Sequence, residues 1–266
     1  MSKKQMQVNC EKTKGKRERF CLSRRLTKGK KEGIIKKISS KVEKRLIEER
    51  VKQIKAQLSA GNSYGEKVTL VAATKMQSAK DINRAILAGV DAVAENKVQE
   101  FRDKTANLLP CPQHFIGHLQ TNKVKYLVGK IDLYHSCDRD ALAEELAAQS
   151  LKQGVMSSVL VQINIGDEES KGGYAYEEGY DVAMRLAKRD GLCVKGLMAM
   201  LPESDDEKRL EELATKMRRL YERVKASLST VEYLSMGMSG DYALCIRCGS
   251  NMVRVGSTIF GARIYE

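Results

Sequence analysis

From Val68 to Phe260 one unit recurs eight times: a short apolar run followed by a stretch with helical spacing. The strand-like runs are VTLVAAT (68–74), DAVAE (91–95), QHFIGH (113–118), IDLYHSC (131–137), SSVLVQIN (157–164), CVKGLMAM (193–200), VEYLSMG (231–237) and MVRVGSTIF (252–260). The spacing between them predicts helices over 78–87, 97–108, 122–128, 141–152, 177–188, 206–227 and 241–248. Near-continuous apolar strands alternating with amphipathic helices require a parallel sheet, since each right-handed crossover lays a helix over one sheet face. Eight such strands in about 200 residues favour a closed (β/α)8 TIM barrel, of the α/β class, over an open doubly wound sheet, which stays as the alternative. No GxGxxG follows the first strand and no GxxxxGK[ST] occurs, so the usual dinucleotide and nucleotide phosphate loops are absent.

Ahead of the repeat, Val42, Leu46, Val51, Ile54 and Leu58 predict an N-terminal amphipathic helix over 41–58, broken at Gly61-Asn62-Ser63. The net charge of +13 suggests nucleic-acid binding until it is located. Residues 1–40 carry +11 of it, leaving +2 on the rest. The arm from Lys3 to Gly33 mixes Lys, Arg, Gly and Ser without period and is expected to be disordered. Its charge suits RNA or anionic lipid, and a solvated tail is the preferred reading. No run of about 18 apolar residues predicts a membrane span, and nothing at the start reads as a secretory signal. Seven Cys, an odd number, point to a reducing cytoplasm. Cys245 and Cys248 form a CxxC with no second ligand pair nearby, so two thiols on one short helix are expected rather than a zinc site, and no metal is predicted.

In a (β/α)8 barrel, functional residues stand at the C-terminal ends of the strands, with phosphates held by the loops after strands seven and eight. Lys75 ends the first run. A partly desolvated lysine there has a lowered pKa and forms a Schiff base with an aldehyde; alternatively it opens the next helix with its amine in water. Strand seven runs into Ser235-Met236-Gly237-Met238-Ser239-Gly240-Asp241 and strand eight into Arg254-Val255-Gly256-Ser257-Thr258. Both offer glycines, hydroxyls and backbone N–H groups suited to phosphate, although Gly and Ser are also plain turn residues. An aldehyde-accepting lysine opposite two such loops makes pyridoxal 5′-phosphate (PLP) the economical ligand. Arg254 is costly inside an apolar run unless it faces the barrel mouth or a ligand, and a pyridine nitrogen is one candidate partner. An arginine there keeps that nitrogen unprotonated, which weakens the ring as an electron sink.

Residues 35–266 resemble the pyridoxal phosphate homeostasis protein family, single-domain relatives of the alanine racemase barrel. The resemblance rests on LVAATK (70–75), AENKVQE (94–100), HFIGHLQTNKVKYL (114–127), VQINIGDEESKGG (161–173), GLMAM (196–200), LSMGMSGD (234–241) and MVRVGSTIFGAR (252–263), in the family's order. It implies one PLP-binding barrel over 34–266 behind a basic arm of 1–33. It also implies PLP bound through Lys75, phosphate held by Ser239, Gly256 and Ser257, Arg254 beside the pyridine nitrogen, and Asn96 near the ring. The implied role is PLP carrier and regulator without substantial turnover, with apo PLP-dependent enzymes as recipients. Two departures stand out: Met76 and Gln77 replace a usual Thr and second Lys, and VAENKVQE has Ala94 and Lys97 where FGENYVQE is common.

Other residues take second place. His114 and His118, four apart on the third run, are expected on one strand face, lining the barrel mouth or packing rather than binding metal. Glu168-Glu169 beside Lys171 and Gly172-Gly173 read as a mobile loop, with a lid as the alternative. The enzymatic alternative is an amino-acid racemase, which needs two bases on opposite faces of the carbon acid. The sequence stops six residues after the eighth run, at Glu266, and offers no obvious second base, so efficient racemisation is not expected.

Overall fold

Each apolar run becomes a strand because its side chains are buried on both sides: one set against a helix, the alternate set inside the barrel. The computed structural model describes residues 46–168 and 171–261. The basic arm of 1–33 lies outside these residues, as do the start of the 34–266 segment, the first turn expected of the N-terminal helix, and Glu169. The strands are β1 (Thr69–Ala73), β2 (Ala92–Glu95), β3 (Gln113–Phe115), β4 (Leu133–Cys137), β5 (Ser157–Ile163), β6 (Leu192–Ala199), β7 (Tyr233–Ser235) and β8 (Met252–Val255). They pair in sequence order, all parallel, and β8 closes on β1 with Val71 opposite Arg254. The closed (β/α)8 barrel expected from the repeat is therefore the fold, and the open sheet is excluded.

Helix α1 (46–58) opens the described chain. It is followed by α2 (Ala79–Leu87), α3 (Val98–Lys104), α4 (Asp140–Gln153), α5 (Gly179–Ala187), α6 (Glu207–Ser227), α7 (Tyr242–Arg247) and α8 (Ser257–Phe260). Ile47, Val51, Ile54 and Leu58 of α1 pack with Leu70 and Ala72 of β1 and Val253 and Val255 of β8. Val71, Met252, Ala92, Ala94, Leu133, Leu160 and Met198 instead form an apolar layer of their own. The parity is that of the pleat: Val253 and Val255 turn toward helices while Met252 and Arg254 turn inward.

Four expected elements change. The eighth run stops being a strand at Val255, because Gly256 turns the chain into α8. The stretch 122–128 is a 3-10 helix, Thr121–Tyr126, and the stretch 97–108 is α3 followed by a 3-10 turn, Thr105–Asn107. Single turns that bury only Val124 or nothing lack the length to propagate an α-helix. The third run pairs only as far as Phe115, because at Gly117 the backbone crosses the end of β2 so closely that a Cβ would lie 2.0 Å from the Asn96 carbonyl oxygen.

Outside the barrel, Arg218 of α6 is 3% exposed and its Nη1 donates to Glu66 Oε2 at 2.6 Å and to the Gly249 carbonyl at 2.6 Å. Lys225 Nζ meets the other Glu66 oxygen at 2.9 Å. Burial works against the charged carboxylate, but these bonds, with one from Asn62, hold the Glu66 pKa down to about 2. The segment before β1 is thereby tied to α6 and to the turn before β8.

Candidate functional site

The C-terminal ends of the strands enclose a cavity of about 680 Å³, within the range of small-molecule sites. Lys75, Asn96, Ser239, Arg254, Gly256 and Ser257 all line it, with Ile116, Met200 and Met238 supplying apolar wall. Six positions drawn from four separate stretches of sequence thus meet in one space.

Lys75 stands two residues beyond β1 in a turn closed by Gln77 N–H donating to the Thr74 carbonyl at 3.0 Å. Met76, next in line, has φ +61°, a left-handed conformation that is strained for a residue with a Cβ. The strain is held by bonds to α3: Met76 N–H donates to Glu100 Oε2 at 2.7 Å, and Lys104 Nζ donates to the same oxygen at 2.6 Å. Lys104 also reaches Glu95 Oε1 at 2.9 Å and the Thr74 carbonyl at 3.1 Å, and the Thr74 hydroxyl donates to Glu95 Oε1 at 2.6 Å. Burial pushes the Glu100 pKa up, yet the Lys104 and Met76 bonds outweigh it and the carboxyl sits below its ordinary value. Sequence reading singled out neither Thr74, Glu95 nor Lys104. The acid-base spacing Glu100, Lys104 is a helical i,i+4 signal, but nothing local showed that it faces β1.

Asn96 follows β2, and its Oδ1 is buried without a hydrogen-bond partner among the described residues. Such an atom costs about 1–3 kcal/mol unless something in the cavity donates to it. Arg254 is 4% exposed; its Nη1 donates to the Ser235 carbonyl at 2.9 Å and Ser235 Oγ at 2.6 Å, and its Nη2 to the Ala199 carbonyl at 3.0 Å. No carboxylate of the described residues pairs with it. Burial lowers its pKa to about 10, so it remains a cation at neutral pH. Three of its five N–H donors are used in these bonds, which leaves two for the cavity side.

Across the mouth, Ser239 Oγ accepts from Gly256 N–H at 3.1 Å and Thr258 N–H at 3.3 Å. A hydroxyl oxygen here occupies the acceptor position that a phosphate oxygen takes at such amides. Lys171 also lines the cavity; its Nζ donates to the Leu201 carbonyl at 3.0 Å and pairs with Glu168, so the loop after β5 is fastened to the loop after β6.

His114 and His118 do not share a face. His114 lies inside the barrel on β3, 7% exposed, whereas His118, beyond the Gly117 crossing, is solvent-facing with Nδ1 2.8 Å from Asp138 Oδ2. The even spacing was misleading because the strand ends between them. Cys245 is buried in α7 and Cys248 caps that helix. Burial raises the Cys245 thiol well above its ordinary value. Among the described residues no group of three or more His, Cys, Asp or Glu is placed to hold a metal ion, and no helix is long and apolar enough to cross a membrane.

Residues 44–264 match the family model "Alanine racemase, N-terminal domain". The chain is similar to the pyridoxal phosphate homeostasis protein of Pasteurella multocida, 40% identical over 205 residues covering 75% of this chain and 88% of that one. That of Aquifex aeolicus is 36% identical over 199 residues, covering 74% and 87%. Among solved structures, PipY of Synechococcus elongatus with PLP bound superposes with a TM-score of 0.71 at 28% identity, covering 81% of this chain and all of that one. With the barrel, the matched length and these identities together, the chain belongs to the pyridoxal phosphate homeostasis protein family.

Proposed function

We propose that this protein binds PLP in the C-terminal cavity and acts in intracellular PLP homeostasis as a carrier and regulator without substantial turnover. The observation that carries the reading is one cavity joining Lys75, the buried Asn96 Oδ1 and a buried Arg254 cation, where among the described residues Asn96 Oδ1 has no hydrogen-bond partner and Arg254 only neutral acceptors. The set fits the cofactor: an amine for its aldehyde, hydroxyl and amide donors for its phosphate, and a donor-only side chain for its ring nitrogen. Family relatives named for PLP homeostasis, and a similar structure with PLP bound, support the same conclusion.

Bound PLP supplies an electrophilic aldehyde and an electron-withdrawing ring. Lys75 is the amine that would hold the cofactor through that aldehyde. Ser239, Gly256 and Ser257 would hold the phosphate, the amides that now donate to Ser239 Oγ being suited to its oxygens. Asn96 lies beside the ring. Arg254, which can only donate, would leave the pyridine nitrogen as an unprotonated acceptor and so favours holding over carbanion chemistry. The racemase reading draws on the alanine racemase domain match. It needs a second base facing Lys75, and the other amine lining the cavity, Lys171, is engaged by Leu201 and Glu168. Apo PLP-dependent enzymes in the cytoplasm are the recipients we assign. We assign the function to the 34–266 segment and none of it to the 1–33 arm.

The test is the visible spectrum of the protein with added PLP beside Lys75→Ala, then borohydride reduction and peptide mapping. A band lost in the variant, with the reduced adduct on the Lys75 peptide, is expected; an adduct on any other peptide would sink the assignment. Alanine enantiomer exchange no faster than that of free PLP is expected, and exchange far above it would make the protein an enzyme.

A further inference from the structure

Four polar side chains cross the barrel interior in single file beneath the cavity. Arg254 Nη1 is 2.6 Å from Ser235 Oγ, Ser235 Oγ is 3.0 Å from His135 Nδ1, and His135 Nε2 is 3.0 Å from His114 Nδ1. Ser235 and His135 have no exposure, and His114 is 7% exposed. Beyond His114 lies a second cavity of about 600 Å³ at the N-terminal ends of the strands, lined by His114 with Asp132, Lys195 and Glu232.

The direction of this chain follows from donor counting. Arg254 only donates, so Ser235 Oγ accepts from it. The Ser235 hydroxyl proton then has one acceptor in reach among the described residues, His135 Nδ1. His135 therefore carries its proton on Nε2 and donates to His114 Nδ1, which puts the His114 proton on Nε2, an atom with no partner among the described residues. The opposite direction would leave the Ser235 proton buried and unbonded, at a cost of about 1–3 kcal/mol. Neither ring is charged at neutral pH: burial, opposed by Asp132, brings His114 down to about 4, and burial, helped by the adjacent His114 ring and the neighbouring Arg254 cation, holds His135 well below its ordinary value.

We infer that His135 and His114 are positioning residues for Arg254. By holding the Ser235 hydroxyl proton away from the guanidinium, they keep an oxygen lone pair facing Nη1. They thereby fix the orientation of the cation, and the chain ends in a His114 N–H donor offered to an acceptor at the N-terminal mouth. The part concerning the cofactor rests on the assignment of Arg254 to the PLP ring; the direction of the chain does not.

The experiment is 15N-histidine NMR of the full-length protein at neutral pH, alone and with PLP, where only 3 His signals arise. His114 and His135 are expected as neutral Nε2–H tautomers. An Nδ1–H tautomer or an imidazolium on either ring overturns the inference. In Ser235→Ala, His135 is expected to lose its single tautomer and PLP retention to fall on the order of five- to tenfold, the worth of one hydrogen bond. Tautomers and retention both unchanged would also overturn it. If Ser235→Ala fails to fold, the wild-type tautomers still decide. If the wild type takes up no PLP, the cofactor reading falls while the tautomers of the free protein stand or fall separately.

Discussion

Glu66 shows what a single side chain does here. Its carboxyl is ionised down to about pH 2 in the folded protein, because it answers the Arg218 cation, and at about pH 4.5 once unfolded. The folded pKa is depressed, so its contribution is complete above the unfolded value and is lost as pH falls from about 4.5 towards 2. Glu66→Gln is expected to cost about 2 kcal/mol at pH 7, leaving the buried Arg218 with Glu222 as its one carboxylate partner among the described residues, and to flatten the acid limb of stability. Urea midpoints measured from pH 7 to 3 check this; parallel curves for wild type and variant would refute it. Among the cavity residues, Lys75, Ser239, Gly256 and Ser257 were legible because they sit where strand ends must come. Arg254 was legible as an anomaly of charge. Ser235 and His135 were not, since in VEYLSMG and IDLYHSC a small or aromatic-sized polar residue looks like any other strand position until the pleat turns it inward.

The apolar runs displayed all eight strands because burial on two faces leaves an unbroken signature. What stayed hidden was where each strand stops, which depends on neighbours. Gly117 is the clearest case: its backbone rides over Asn96, a constraint carried by β2 and invisible in β3. Gly117→Ala is expected to lower stability by about 2 kcal/mol or more, and to weaken PLP binding with it, because a Cβ at 2.0 Å forces two loops apart. Calorimetry together with PLP titration tests it, and an unchanged melting temperature would count against the crossing. Likewise α3 braces the Lys75 turn. Lys104→Met removes the cation from between Glu95, 4% exposed, and Glu100. It is expected to cost about 3 kcal/mol and to loosen the turn, seen as faster amide exchange at Met76.

For the whole molecule, the relevant unit is the segment that matches the family, residues 44–264. Removal of residues 1–33 is expected to leave the melting temperature and the PLP spectrum as they were. Any affinity for RNA, steep in salt, should vanish with that arm. A shifted PLP band in the shortened protein would mean that the arm reaches the site.

The ladder that closes the barrel is uneven. β5 and β6 register seven residue pairs, whereas β7 and β8 register one, Ser235 with Met252. The proposed cofactor residues straddle that seam: Ser239 follows β7, Arg254 belongs to β8, Gly256 follows it, and Lys75 follows β1 on its far side. A ligand held by all of them would act as a clasp across β7, β8 and β1, adding its own contacts where the registered ladder is shortest.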